Sequence, residues 1–177
     1  MVRMSTIGVR ALGIDAPFPV IINHRGYAGV AAVRWLVLTI GKPKLAYAKS
    51  GVAEYVKRIT RYTRFELRHL REDTPEQEAA RLLAASQGCY RIVLDERGDR
   101  VTTLEFVERV NRWERQGLKN IAVLIGGAEG HPEALRRQAD WLLSLSPFTL
   151  QHELALLIFL EQLYRVHTIK RNEPYHR

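Results

Sequence analysis

The sequence predicts an α/β fold with a mainly parallel sheet covered by helices on both faces. Short apolar runs closed by turn residues alternate with longer segments whose apolar residues recur at helical spacing, and parallel strands need such crossovers. Two of the helical segments also carry start signals, because Thr74-Pro75-Glu76-Gln77 and the pair Thr102 and Glu105 fit the capping-box pattern.

The first run, Arg34-Trp35-Leu36-Val37-Leu38-Thr39-Ile40, closes at Gly41-Lys42-Pro43 and reads as a buried strand. Ala48, Val52, Val56 and Ile59, with Tyr55 and Tyr62 beside them, then give a helix whose other face is basic. Phe65 to Leu70 alternates as a half-buried strand does, and the first capping box opens a helix to about Ala85. Tyr90 to Leu94 is the next strand. The second box opens a helix through Leu104, Val107, Val110 and Trp113 that stops at Gly117. Ile121 to Ile125 is a strand ending in Gly126-Gly127-Ala128-Glu129-Gly130. His131-Pro132 starts a short helix to about Ala139, and Trp141 to Leu145 is the last strand. A helix from His152 to about Ile169 follows; it is apolar nearly all round, as a helix buried against a second subunit would be. Residues 1–32, punctuated by Gly8, Gly13, Pro17, Pro19, Gly26 and Gly29, hold no period and read as a weakly ordered extension before a folded domain at 33–177.

Composition narrows the function. In 177 residues, 46% hydrophobic and 26% charged side chains suffice for a real core and exclude a disordered or collagen-like chain. The longest apolar run, Leu154 to Leu160, is far short of the roughly 20 residues a membrane span needs. A lone Cys89 excludes an internal disulfide and a cysteine-rich zinc site, so a reducing cytoplasm fits best. The net charge of +8 favours a polyanionic partner, nucleic acid first. Lys57, Arg58, Arg61, Arg64, Arg68 and Arg71 crowd one segment, and Arg165, His167, Lys170, Arg171, His176 and Arg177 crowd the carboxyl end.

Ligands of a parallel sheet gather at the carboxyl ends of its strands, which here are Leu94-Asp95-Glu96, Gly126 to Gly130, and Ser146 to Leu150. The glycines let backbone amides approach a ligand closely. No GxxxxGK[ST] and no GxGxxG after the first strand are present, which argues against a Walker-type triphosphatase and a Rossmann dinucleotide enzyme. His152, Glu153 and Glu161 lack metal-ligand spacing, so no metal is expected. Ser144, Ser146 and Thr149 lack a nucleophile elbow and fit capping or ligand-holding better.

Leu124-Ile125-Gly126-Gly127-Ala128-Glu129-Gly130, Ser144-Leu145-Ser146, Thr149-Leu150 with His152, Glu161-Gln162-Leu163-Tyr164-Arg165 and Pro174-Tyr175-His176-Arg177 occur in that order. With the Trp35 to Lys44 opening and Leu94-Asp95-Glu96, this series resembles the RlmH family of SPOUT methyltransferases over residues 33–177. The resemblance implies a SPOUT-type α/β knot with a carboxyl-terminal trefoil knot. It also implies an S-adenosyl-L-methionine-dependent enzyme that methylates N3 of a pseudouridine in 23S rRNA, acting as a homodimer on the assembled ribosome. By position, it puts the cofactor against Leu94, Gly126, Gly127, Ser146, Pro147, Phe148, Thr149, Leu150 and Gln151, and it puts Arg165, Tyr175 and His176 near the substrate nucleotide. Gln151 stands where the family usually has proline and Leu156 where it usually has arginine. The extension before Val33 lies outside the family pattern, and an over-long start assignment or a genuine tail accounts for it.

Two other readings stay open at the level of residues. A non-catalytic RNA-binding module explains the charge but not the glycine loop. A Rossmann-like small-molecule methyltransferase explains cofactor binding but not the basic clusters.

Overall fold

The computed structural model describes residues 33–176 and, before them, only two short strands, β1 (Ile21–Ile22) and β2 (Ala28–Gly29), which pair antiparallel. The rest of the expected extension at 1–32, the side chain of His176 and Arg177 lie outside the described residues. From Arg34 onward the elements are β3 (Arg34–Ile40), α1 (Ala46–Ile59), β4 (Phe65–Leu70), α2 (Pro75–Ala85) and β5 (Tyr90–Arg100). They continue as α3 (Thr103–Arg115), β6 (Asn120–Ile125), α4 (Glu133–Arg136), β7 (Trp141–Ser144) and α5 (His152–Lys170), and a 3-10 turn at Pro174–His176 ends them.

Strands β3 to β7 form one parallel sheet in the order β4-β3-β6-β5-β7. Composition matches the placing of three of these strands. β3 and β6 are the most continuously apolar runs and occupy interior positions, where both faces are buried; Trp35 to Ile40 and Ile121 to Ile125 are all buried. β4 alternates in polarity and lies at an edge. One face of the sheet packs under α1, α3 and α5 around Trp35, whose ring meets Phe106, Trp113 and Phe159, each with centroids 6.4 Å away. The other face packs Leu36, Leu38, Ile40, Val93 and Leu124 against Ala79 and Leu82 of α2 and Leu135 of α4.

The capping box at Thr102 forms as the spacing predicts, with Glu105 closing it. Three other expectations need correction. The box at Thr74 does not form: its side chain caps nothing, the Gln77 amide at the third helical position lies against the Asp73 carboxylate, and Glu78 one place on accepts the N–H of Asp73. The helix after His131-Pro132 is a single turn, Glu133–Arg136, shorter than the expected run to Ala139. Strand β5 runs past Leu94 to Arg100 because Leu94 and Asp99 both pair with Leu143, so residues 95–98 arch out of the sheet and pairing then resumes. Gly98 permits the return, since a Cβ there would stand 2.6 Å from the carbonyl carbon of Leu142.

Helix α5 uses more of its apolar surface within one chain than its composition implies. Leu156, Phe159, Leu160, Leu163 and Val166 are buried. Leu157 fits against Gly51 of α1, where a Cβ would stand 2.7 Å from Leu157 Cδ1. Leu154 and Ile158 are left half-buried.

Candidate active site

The carboxyl ends of β5, β6 and β7 open onto one cleft of about 300 Å³. Three segments wall it: the arch Leu94 to Arg97, the turn Gly126 to Gly130, and the loop leading from β7 into α5. Of the nine residues expected around a cofactor, Leu94, Gly126, Gly127, Ser146, Phe148, Thr149 and Leu150 line this cleft. Pro147 and Gln151 belong to the same loop without lining it. Gln151 caps α5, its side chain accepting the N–H of Leu154 at 3.1 Å, so the helix start is held without a proline. Leu156, the other departure from the family pattern, is a core residue, 1% exposed.

The turn is tight for a steric reason. Gly126 and Gly127 do not have positive φ; of this turn only Gly130 does, at 73°. A Cβ on Gly126 would stand 3.2 Å from the backbone carbonyl of Gly130, and one on Gly127 would stand 3.0 Å from Glu78 Oε2. The loop after β7 is braced by its own hydroxyls: Ser144 Oγ donates to the carbonyl of Ser146, and Ser146 Oγ accepts from the N–H of Phe148. Thr149 Oγ1 donates to Glu96 Oε2 at 2.7 Å, which ties this loop to the arch on the opposite wall. Phe148 is 78% exposed at the mouth, an apolar ring with no neighbour of its own to cover it.

One ion pair lies in the cleft wall. Asp95 lies 3.5 Å from the Arg136 guanidinium, both side chains largely buried, and Arg136 also donates to the carbonyl of His131. Burial lowers the pKa of His131, with Arg136 adding to it and Asp95 opposing. The imidazole is therefore neutral at pH 7. Asp95 was placed at a strand end by the sequence; His131 and Arg136 were not singled out, and the His-Pro helix start was their only signal.

Arg165 and Tyr175 form a second group at the other end of α5. Arg165 pairs with Glu161 at 2.6 Å, and its guanidinium lies 4.9 Å from the Tyr175 ring centroid. The Tyr175 hydroxyl is 3.1 Å from Tyr55 Oη and donates to Glu161 Oε1. Glu161 raises the pKa of Arg165, and burial, with the Tyr55 hydrogen bond, raises that of Tyr175, so cation and phenol both persist at neutral pH. Neither residue lines the cleft. Ala155, which does, precedes Arg165 by ten residues of helix, a rise of about 15 Å.

The two basic clusters fare unequally. Lys57, Arg61, Arg64 and Arg71 make no ion pair among the described residues, whereas Arg58 and Arg68 are matched by Glu54 and Glu66. At the carboxyl end Arg165 and Lys170 are paired, and His167 is buried and uncharged, so that segment is no simple cationic face. Among the described residues no helix is long and apolar enough to cross a membrane.

Residues 33–176 match the family model described as "Predicted SPOUT methyltransferase". The chain is 50% identical over 145 residues to ribosomal RNA large subunit methyltransferase H of Thermus thermophilus, covering 82% of this chain and 99% of that protein. It is 41% identical over 145 residues to the protein of the same name in Deinococcus radiodurans, with the same coverage. In fold it is similar to the tRNA (m1G37) methyltransferase of Aquifex aeolicus, with TM-score 0.51, 16% identity, and 81% of this chain and 73% of that one covered. A probable methylase family protein of Haemophilus influenzae also gives 0.51, at 12% identity over 84% and 72%. A parallel sheet whose last three strands end on a single cleft, together with these matches over four fifths of its length, makes the chain a member of the SPOUT methyltransferases and, within them, of the RlmH family.

Proposed function

We propose that the protein methylates N3 of a pseudouridine in 23S rRNA on the assembled ribosome, in the cytoplasm, with S-adenosyl-L-methionine as donor. The observation that carries this reading is the convergence of the three strand-end segments on one cleft, in a chain half-identical to a relative named as a large-subunit rRNA methyltransferase. The cleft suits the donor. Leu94, Ile125, Leu143, Leu145 and Leu150 offer apolar walls for a flat base, while turn amides and the hydroxyls of Ser146 and Thr149 offer polar edges. When bound, the donor supplies an electrophilic methyl group on a cationic sulfur.

The residues of this chain bind and orient. Leu94, Gly126, Gly127 and the loop from Ser146 to Gln151 hold the donor, with the Thr149 to Glu96 hydrogen bond keeping the two walls together. Arg165, held by Glu161, meets the phosphate or the negative charge that grows on the substrate base as N3 loses its proton. Tyr175 and His176 at the chain end close on that nucleotide. Since about 15 Å of helix separates this group from the cleft, the two halves of the site come from different copies in a homodimer. The half-buried Leu154 and Ile158 on α5 and the 63% exposed Leu104 on α3 offer apolar surface for it. The unpaired Lys57, Arg61, Arg64 and Arg71 supply phosphate contacts on the ribosome. The trefoil knot of the family, threaded through the segments around β6 and β7, and an independent extension at 1–32 belong to the same reading.

The test is mass spectrometry of rRNA nucleosides from a strain lacking the gene, with and without complementation. Loss of N3-methylpseudouridine in the deletion and its return with the gene are expected. An unchanged nucleoside profile refutes the assignment, and binding of rRNA without donor binding would favour a non-catalytic module.

A further inference from the structure

Glu78 is 9% exposed, yet it makes no ion pair among the described residues. One oxygen is accounted for, since Oε1 accepts the N–H of Asp73 at 3.0 Å at the start of α2. The other, Oε2, has no hydrogen-bond partner among the described residues and faces the glycine turn, 3.0 Å from where a Cβ of Gly127 would stand. Oε2 is not among the sealed polar atoms of the described residues, so it is open to a cation or donor that approaches the turn, and the burial of the rest of the side chain limits the screening of its charge. Of the acids that line the cleft, Asp95 faces Arg136 and Glu96 accepts from Thr149, while Glu129 lies on the exposed turn; Glu78 differs from them in being mostly buried without an ion pair and fixed through Asp73. Gly127 lines the cleft, and Glu78 does not.

We propose that Glu78, behind the Gly126-Gly127 turn, makes the cleft selective for a cationic ligand, favouring the sulfonium form of the methyl donor over the neutral thioether left after transfer. This rests on the donor assignment above and extends it to product release. Substrate and product differ by one methyl group and one positive charge, so a fixed negative charge near the turn discriminates between them where shape does not. Glu78 does this without entering the chemical step: it forms and breaks no bond.

The experiment is calorimetric titration of the full chain with S-adenosylmethionine and, separately, S-adenosylhomocysteine, for wild type, Glu78→Gln and Glu78→Asp. Glu78→Gln keeps the size and the acceptor for Asp73 while removing the charge, so affinity for S-adenosylmethionine should fall about tenfold and that for S-adenosylhomocysteine less than about twofold. Glu78→Asp, which retains the charge, should keep most of the wild-type preference and supports the idea even if Glu78→Gln fails to fold. An equal loss for both ligands in Glu78→Gln, or an unchanged ratio, overturns the inference while leaving the donor site standing. Failure of the wild type to bind S-adenosylmethionine removes the donor assignment and this inference with it.

Discussion

His167 should make the protein acid-sensitive in a way that one substitution removes. The imidazole is 6% exposed, its Nε2 is sealed without a partner, and its ring stacks on Tyr62 with centroids 5.8 Å apart. Burial, with Lys170 and Arg171 nearby, lowers its pKa to about 3. An unfolded histidine titrates near ~6.5, so the folded state binds fewer protons between these values. The stability contributed by the neutral ring is therefore present above pH ~6.5 and is lost as pH falls towards 3. Between pH 7 and pH 5 the loss is about 2 kcal/mol from this residue alone. His131 and His69 are also shifted down, chiefly by burial, and add to the same slope. Urea denaturation of wild type and His167→Leu at pH 7 and pH 5 isolates the share of His167. The variant should lose about 2 kcal/mol less than wild type over that interval, and at pH 7 it should be at least as stable because no polar atom is left sealed. Equal pH slopes for the two proteins would refute the reasoning, since they would mean that the ring is protonated or hydrated in the native state.

Gly127→Val should abolish S-adenosylmethionine binding in calorimetry while circular dichroism stays native, because the added side chain meets Glu78 and Ile40 and displaces the turn that walls the cleft, with no positive φ to strain. Ile158→Asp should convert a dimer into a folded monomer by light scattering, whereas Leu157→Arg should unfold the chain, since Leu157 packs on Gly51 of its own α1. Removing Tyr175, His176 and Arg177 should leave donor affinity nearly unchanged and cut single-turnover methyl transfer to unmodified ribosomes severely; wild-type turnover would take the tail out of the site. A chain starting at residue 33, where the family match begins, should keep its melting temperature and activity, and a large loss of either would tie the extension to the enzyme.

Most of the strands could be read from pattern, because β3 and β6 are largely apolar and β4 alternates, as suits two interior strands and an edge; the apolar β7 at the other edge and β5 inside it follow no such pattern. The cleft was legible for the same reason: in a parallel sheet the strand ends are the ligand ends, and three of them carried turn residues. What periodicity could not show was side-chain partnership across distant segments. Glu78 falls in a helix start and looks like an ordinary first-turn acid; only its approach to Gly127, 49 positions along the chain, marks it out. His167 counted as part of a basic cluster because charge was tallied by sequence, whereas packing against Tyr62 makes it neutral. The capping box at Thr74 has the right spacing, but Asp73, just before it, draws both Gln77 and Glu78 to itself, a competition that the spacing does not show.

The arch of β5 separates two demands that a strand usually has to meet together. Leu94 and Asp99 are both matched to Leu143, so the residues between them leave the sheet and come back to the same rung. Trp141 Nε1 donates to Asp99 Oδ2 at 2.8 Å and pins the returning arm. With Asp95 held against Arg136 and Gly98 packed on the backbone of Leu142, the two ends of the arch are fixed, and changes at Glu96 and Arg97 between them would shift no strand against its neighbour. The wall of the cleft that Glu96 offers to Thr149 is in this sense a replaceable panel on a fixed frame, free to follow changes in the ligand or the ribosome without renegotiating the fold.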